Sequence, residues 1–83
     1  MNMTKVGVLI LNWNGQQFLE KFLPSLIEYT PNDIAEIIVA DNGSSDNSLA
    51  WITKQYPQLR TIELHKNHGF AGGYNLAIEK CSH

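Results

Sequence analysis

Val6-Gly7-Val8-Leu9-Ile10-Leu11-Asn12-Trp13-Asn14-Gly15 is an apolar run that stops abruptly at two asparagines, a tryptophan and a glycine. Bulky residues occupy both parities of the run. That is the pattern of a strand covered on both faces, as strands of a parallel sheet are. After the break, Phe18, Leu19, Phe22, Leu23, Leu26 and Ile27 recur at helical spacing on one side. Pro24 lies inside this pattern and predicts a kink or a division of the helix. Residues 31–33 (Pro-Asn-Asp) form a turn cluster. A second strand, Glu36-Ile37-Ile38-Val39-Ala40, ends at Asp41 and opens into the loop Asn42-Gly43-Ser44-Ser45. Ser45 or Asp46 is expected to cap the next helix, which carries Leu49, Ile52 and Tyr56 and stops before Pro57.

Arg60-Thr61-Ile62-Glu63-Leu64 reads as a third strand, polar enough for a sheet edge. Residues 65–69 form a loop, and a last helix runs from about 70 to 80 with Leu76, Ala77 and Ile78 turned inward. Alternating strands and helices of this kind build a parallel sheet through right-handed crossovers, with helices on its faces. The expected fold is therefore a three-layer α/β sandwich, β-α-β-α-β-α, with strand order 3-2-1, forming a single domain over residues 1–83.

The totals narrow the function. The apolar fraction is 43%, ordinary for a globular chain, while charged residues make up 17% and the net charge is −2. Lys5, Lys21, Lys54, Arg60, Lys66 and Lys80 are scattered, so the electrostatic footprint of a nucleic-acid partner is missing. Cys81, the sole cysteine, excludes an internal disulfide framework. The longest apolar run, residues 6–11, falls far short of the roughly 20 residues of a membrane span. No signal peptide is evident, and a cytoplasmic chain is expected, one that could sit at the inner face of the membrane through other segments. His65, His68 and His83 do not form a metal set, and His65 and His68 have no obvious carboxylate partner in the sequence. No Ser-His-Asp arrangement can be argued either.

In an open parallel sheet, ligands bind outside the carboxyl ends of the strands. The loops at that end, residues 12–15, 41–46 and 65–73, contain every glycine except Gly7 and most of the small polar residues. The loops at the opposite end are plain turns. Trp13, flanked by Asn12 and Asn14, either stacks on a nucleobase whose edge an asparagine reads, or packs over the first helix. Asp41 either accepts from a ribose hydroxyl or base imino group, or closes a local Asx turn, which position alone favours. Gly43 suits a positive φ, and Asp46 suits a helix cap better than a ligand. The stretch Asn67-His68-Gly69-Phe70-Ala71-Gly72-Gly73-Tyr74-Asn75 leads into a helix. Its glycines permit close approach, and helix-start N–H groups favour anions. It is neither a Walker A loop nor a GxGxxG, which argues against a dinucleotide-binding half.

Taken together, residues 6–15 (VGVLILNWNG), 36–48 (EIIVADNGSSDNS) and 67–78 (NHGFAGGYNLAI) resemble family 2 glycosyltransferases of the GT-A fold, most closely their rhamnosyltransferase-like branch. The resemblance spans nearly the whole chain. It implies a nucleotide-diphosphate sugar donor and a saccharide or lipid-linked acceptor, in cell-surface polysaccharide synthesis. Trp13 matches the aromatic position near the base, with Asn12 and Asn14 beside it. Asp41 and Asn42 match the acidic pair after the second strand, where Asn42 departs from the common second Asp. Asn67, Gly69, Gly73 and Asn75 match the loop and helix flanking the donor. The resemblance also implies a later Asp-x-Asp-like motif holding Mg2+ or Mn2+ and a later general base. No Asp follows Asp46, so neither the metal ligands nor a catalytic residue is expected in this chain, which reads as the nucleotide-binding part of a larger enzyme, inactive alone. The family's first strand pairs with a fourth. An open edge there would predict a homodimer, through edge pairing or exchange of the last helix. The alternative is a non-catalytic nucleotide-binding or dimerising module of the same lineage.

Overall fold

The computed structural model describes residues 6–31 and 35–81. Its elements are β1 (Val6–Asn12), α1 (Gln16–Glu28), β2 (Ala35–Asp41), α2 (Ser48–Gln55), β3 (Arg60–Glu63) and α3 (Phe70–Cys81). The strands form one parallel sheet with β2 between β1 and β3, the expected order. Of the turn read at residues 31–33, only Pro31 lies among the described residues.

The central strand fixes the layers. Side chains of a strand alternate between faces, and β2 is buried on both. Ile38 and Ala40 pack with Ile62, Leu64 and Ala77 beneath α3. Val39 packs with Leu19, Leu23 and Ile52 of α1 and α2 on the other face. Helices therefore cover both sides and make a three-layer sandwich. Val39, Leu23 and Ile52 are completely shielded, each contributing about 1.5–3 kcal/mol of burial.

Several local expectations are corrected. β1 sends Leu9 and Leu11 into one cluster and Ile10 into the other, yet these residues are only half-buried. Among the described residues β1 has a neighbour on one side alone, so full cover on both faces is not reached. α1 runs unbroken through Pro24. The expected division of the helix is therefore not seen; Pro24 is exposed, and the Glu20 carbonyl loses its N–H donor there, while Leu19 and Leu23 are buried. α2 has Asn47 in the cap position, one residue after Asp46 and two after Ser45, with no side-chain bond from Asn47; Asp46 instead accepts from the Ser48 N–H at 3.0 Å, from just outside the cap. On α3, Ala77 is buried but Ile78 is 55% exposed, since three consecutive helical residues cannot share one face. β3 ends at Glu63, although the Leu64 N–H still donates to the Asp41 carbonyl at 2.9 Å.

Candidate functional site

The register sets Asn12 opposite Asp41, and Asp41 opposite Glu63, so the strands end nearly level. Three loops leave this rim side by side. All described residues with positive φ lie in them: Asn14 (51°), Gly43 (77°), His65 (70°) and Gly69 (76°). At Gly43 a Cβ would come within 2.5 Å of Lys66 Cα and carbonyl carbon. Glycine is thus required there both by conformation and by the backbone of the third loop.

Under the rim lies a buried polar network. Asn12 is 4% exposed, and its amide nitrogen donates toward Asp41 Oδ1 (3.0 Å), Ser44 Oγ (3.2 Å) and Ser48 Oγ (2.8 Å). Its amide oxygen accepts from the Gly15 N–H at 3.2 Å, turning the chain into α1. Asp41 is 5% exposed and accepts from the Ser44 hydroxyl (2.6 Å) and the Ser44 N–H (3.0 Å), a local bond that reaches three residues on, one further than in an Asx turn. The network explains how a carboxylate is held inside without a cation: each of its oxygens has a donor.

At the outer edge Asn14 Oδ1 accepts from the Ser45 and Asp46 N–H groups at 2.7 and 3.1 Å. Asp46 in turn accepts from the Gln16 N–H at 3.2 Å, the Ser48 N–H at 3.0 Å and the Ser48 hydroxyl. Its slight burial pushes its carboxyl up. Donation from the Ser48 hydroxyl and from the Ser48 and Gln16 N–H groups outweighs this and leaves it below its ordinary value.

Above the rim, Leu11, Trp13, Asn42, Asn67, Gly69 and Phe70 line an open groove of about 340 Å³. Trp13 is 55% exposed and Phe70 77% exposed. The structure thus brings Trp13, Asn42, Asn67 and Gly69 together, with Asn12 and Asp41 in the network below. Gly73 lies behind the wall, against Leu11 and the Asn42 amide. Asn14 lines a second, wider depression with Gln16, Phe18, Glu20, Lys21 and Asp46. Asn75 is exposed on α3 and lines neither surface.

Phe70 and the serines Ser44 and Ser48 were not singled out by the sequence reading as site residues. An aromatic at the first helical position after a positive-φ glycine was the available signal for Phe70. His65 does have a carboxylate beside it, Glu63 at 3.6 Å across exposed surface, which corrects the expectation of none. Among the described residues no three of His, Cys, Asp and Glu converge in a way that could hold a metal ion. The described residues do not offer the ligand set of a metal clamp. No described helix is long and apolar enough to cross a membrane.

The surroundings of this rim agree with what the chain is similar to. Residues 7–83 match the sequence profile of Glycosyl transferase family 2. An uncharacterized glycosyltransferase of Nostoc sp. is 35% identical over 77 residues, 89% of this chain and 24% of the relative. An uncharacterized glycosyltransferase of Mycoplasma genitalium is 33% identical over 75 residues, again 89% of this chain and 25% of the relative. The low-salt glycan biosynthesis hexosyltransferase Agl10 of Haloferax volcanii is 25% identical over 73 residues, 88% of this chain and 22% of that protein. In fold, the mannosyltransferase PcManGT of Pyrobaculum calidifontis, solved with GDP-Man and Mn2+, superposes with a TM-score of 0.77 at 24% identity, over 92% of this chain and 24% of its own. The chain therefore spans about a quarter of the length of the relatives it matches. With the profile covering nearly every residue, the chain belongs to glycosyl transferase family 2.

Proposed function

We propose that the groove between Trp13 and Phe70 receives the nucleoside diphosphate of a sugar donor, in an enzyme that transfers a hexosyl group to a saccharide or lipid-linked acceptor. The observation that carries this reading is the convergence of Trp13, Asn42, Asn67 and Gly69 on one open groove at the carboxyl ends of β1 and β2. Parallel sheets bind ligands at that position. Trp13 offers a flat apolar face for a base. The exposed amide of Asn67 offers hydrogen bonding at its edge, and the first N–H groups of α3 have no intrahelical partner and favour phosphate oxygens. The GDP-Man held by the Pyrobaculum neighbour and the hexosyltransferase name of the Haloferax relative support a hexosyl donor. The wording NWNG, DNGSSD and GFAGGYN supports a rhamnosyltransferase-like branch and cell-surface polysaccharide as the product. Divalent metal and general base are supplied, in this reading, by parts of the enzyme other than the residues described here. Taken by itself, the 83-residue chain pairs with a second copy, through the edge of β1 that has no described neighbour or by exchange of the last helix; a monomer by light scattering at high concentration would remove that part.

The test is a parallel titration of the 83-residue chain with UDP, GDP, dTDP and NAD, followed by tryptophan fluorescence. Saturable quenching by one nucleoside diphosphate is expected, abolished by Trp13→Leu while Trp51 continues to report folding. Absence of binding to all three diphosphates, or equal binding of NAD, overturns the reading.

A further inference from the structure

The groove wall that carries Asn67 and Gly69 is tied to β2 by the side chain of Asn42, while the His68 ring ties it to the Leu64 carbonyl at 3.1 Å. Asn42 is 3% exposed. Its amide nitrogen donates to Asn67 Oδ1 at 3.3 Å and to the Gly69 carbonyl at 3.2 Å, and its amide oxygen accepts from the His68 N–H at 3.0 Å. Asn67 Oδ1 accepts in addition from the Gly69 N–H at 2.7 Å. Residues 67–69 are thereby tied to the end of β2 through a single amide. Gly73 leaves room for it: a Cβ there would stand 2.9 Å from Asn42 Nδ2 and 3.1 Å from its Cγ.

The polarity of these partners is specific. Two acceptors face the amide nitrogen and one donor faces the amide oxygen. A primary amide of this length meets that pattern, whereas a carboxylate offers acceptors alone and would oppose both Asn67 Oδ1 and the Gly69 carbonyl. Both amide hydrogens of Asn42 are already engaged by the third loop.

We propose that Asn42 is a positioning residue of the groove rather than a nucleotide ligand. It sets the place of Asn67, Gly69 and Phe70 relative to Trp13, and Gly73 is its steric counterpart on α3. That the wall so placed serves a nucleotide rests on the function proposed above; that Asn42 holds the wall does not.

The experiment compares the wild-type chain with Asn42→Asp, which keeps size but replaces both N–H donors with an acceptor and adds a charge, and Gly73→Ala, which displaces the amide from the other side. Amide hydrogen exchange is read by NMR at Gly69 and, as a control, at Val39. Affinity is read for whichever of UDP, GDP or dTDP the wild type binds. In both variants exchange at Gly69 should rise about tenfold or more, as loss of roughly one hydrogen bond implies, with Val39 still protected. Affinity should fall by a similar factor, and the double variant should be no worse than the poorer single one. Unchanged exchange at Gly69 in both variants overturns the proposal. So does lost affinity with unchanged exchange, which would make Asn42 a direct ligand. If Asn42→Asp does not fold, Gly73→Ala decides by the same readouts. If the wild type binds no diphosphate, the donor reading fails while exchange at Gly69 still decides the role of Asn42.

Discussion

The two borders of the β2–α2 loop are built differently. Toward the β1–α1 loop it is cross-linked repeatedly, from the buried bonds of Asn12 to Asp41, Ser44 and Ser48 out to the exposed bonds of Asn14 and Asp46. Toward the β3–α3 loop, the side-chain bonds among the described residues are those of Asn42, supported by the close backbone approach at Gly43. Redundant bonding makes the first border a rigid frame, because loss of one exposed bond leaves the others in place. The second border has fewer ties: the Asn42 amide, the close approach at Gly43, and the Leu64 N–H on the Asp41 carbonyl, with the His68 ring bonded in turn to the Leu64 carbonyl. The groove straddling both has a more heavily bonded side carrying Trp13 and a side that small substitutions should shift.

The frame breaks most severely from inside. Asn12→Asp turns the donor at the centre of the network into a second buried carboxylate beside Asp41, against the Ser44 and Ser48 hydroxyls. An unpaired buried charge of this kind costs about 3–5 kcal/mol. That is a large part of the stability of a small domain, so urea denaturation should find the variant mostly unfolded. Near wild-type stability would mean that the rigid side of the comparison is not held by this network. On the other border, Gly43→Ala combines left-handed strain at φ 77° with collision against the Lys66 backbone, about 2–4 kcal/mol together, read in the same experiment. An effect below about 0.5 kcal/mol would show the second border to be slack.

Much of this was legible in the sequence, and the reason is the period of the pattern. β1 is apolar at both parities, α1 is apolar at helical spacing, and strands alternate with helices, so layers and strand order followed, although full cover is reached by β2 and not by β1. The rim followed as well, because glycines and small polar residues gather at one end of the sheet. What the residues did not reveal is which polar groups turn inward. Asn12 and Asn14 look alike in the chain. Yet Asn12 points under the sheet end by its pairing with Asp41, while Asn14 turns outward with φ 51°. Asn42 and Asn75 likewise carry the same group, and only the packing of Gly73 against Leu11 and Asn42 separates a buried tie from an exposed side chain. Such distinctions depend on contacts across 25 or more positions, as in the bond from Asn42 to Asn67, which no local window contains.

Trp13 sharpens the comparison because it stands on the fixed side but contributes to neither network. Truncating it to alanine should leave stability within about 0.5 kcal/mol of wild type, as for other exposed positions. Nucleoside diphosphate affinity should fall roughly 5- to 150-fold, the range expected from about 1–3 kcal/mol of base stacking. Calorimetric titration checks the second effect and urea denaturation the first. A large loss of stability would place Trp13 in the frame rather than in the groove.

The smallest effect tests whether the exposed bonds of the frame add anything to its buried ones. Asp46 accepts from Gln16, at the start of α1, and from Ser48, at the start of α2, and these bonds outweigh its slight desolvation and hold its carboxyl below the ordinary aspartate value of about 3.9. A depressed folded pKa means that the unfolded chain binds the proton more readily. Asp46 therefore stabilises the fold above the unfolded value, and this contribution is lost as pH falls through the folded one. Water competes for an exposed carboxylate, so the slope it adds should be shallow. Between pH 5 and 2, wild type should lose slightly more stability than Asp46→Asn, and the two curves should run parallel above about pH 5. Identical acid limbs would mean that the bonds accepted by the Asp46 carboxyl add nothing to the frame, leaving it to Asn12, Asp41 and Asn14.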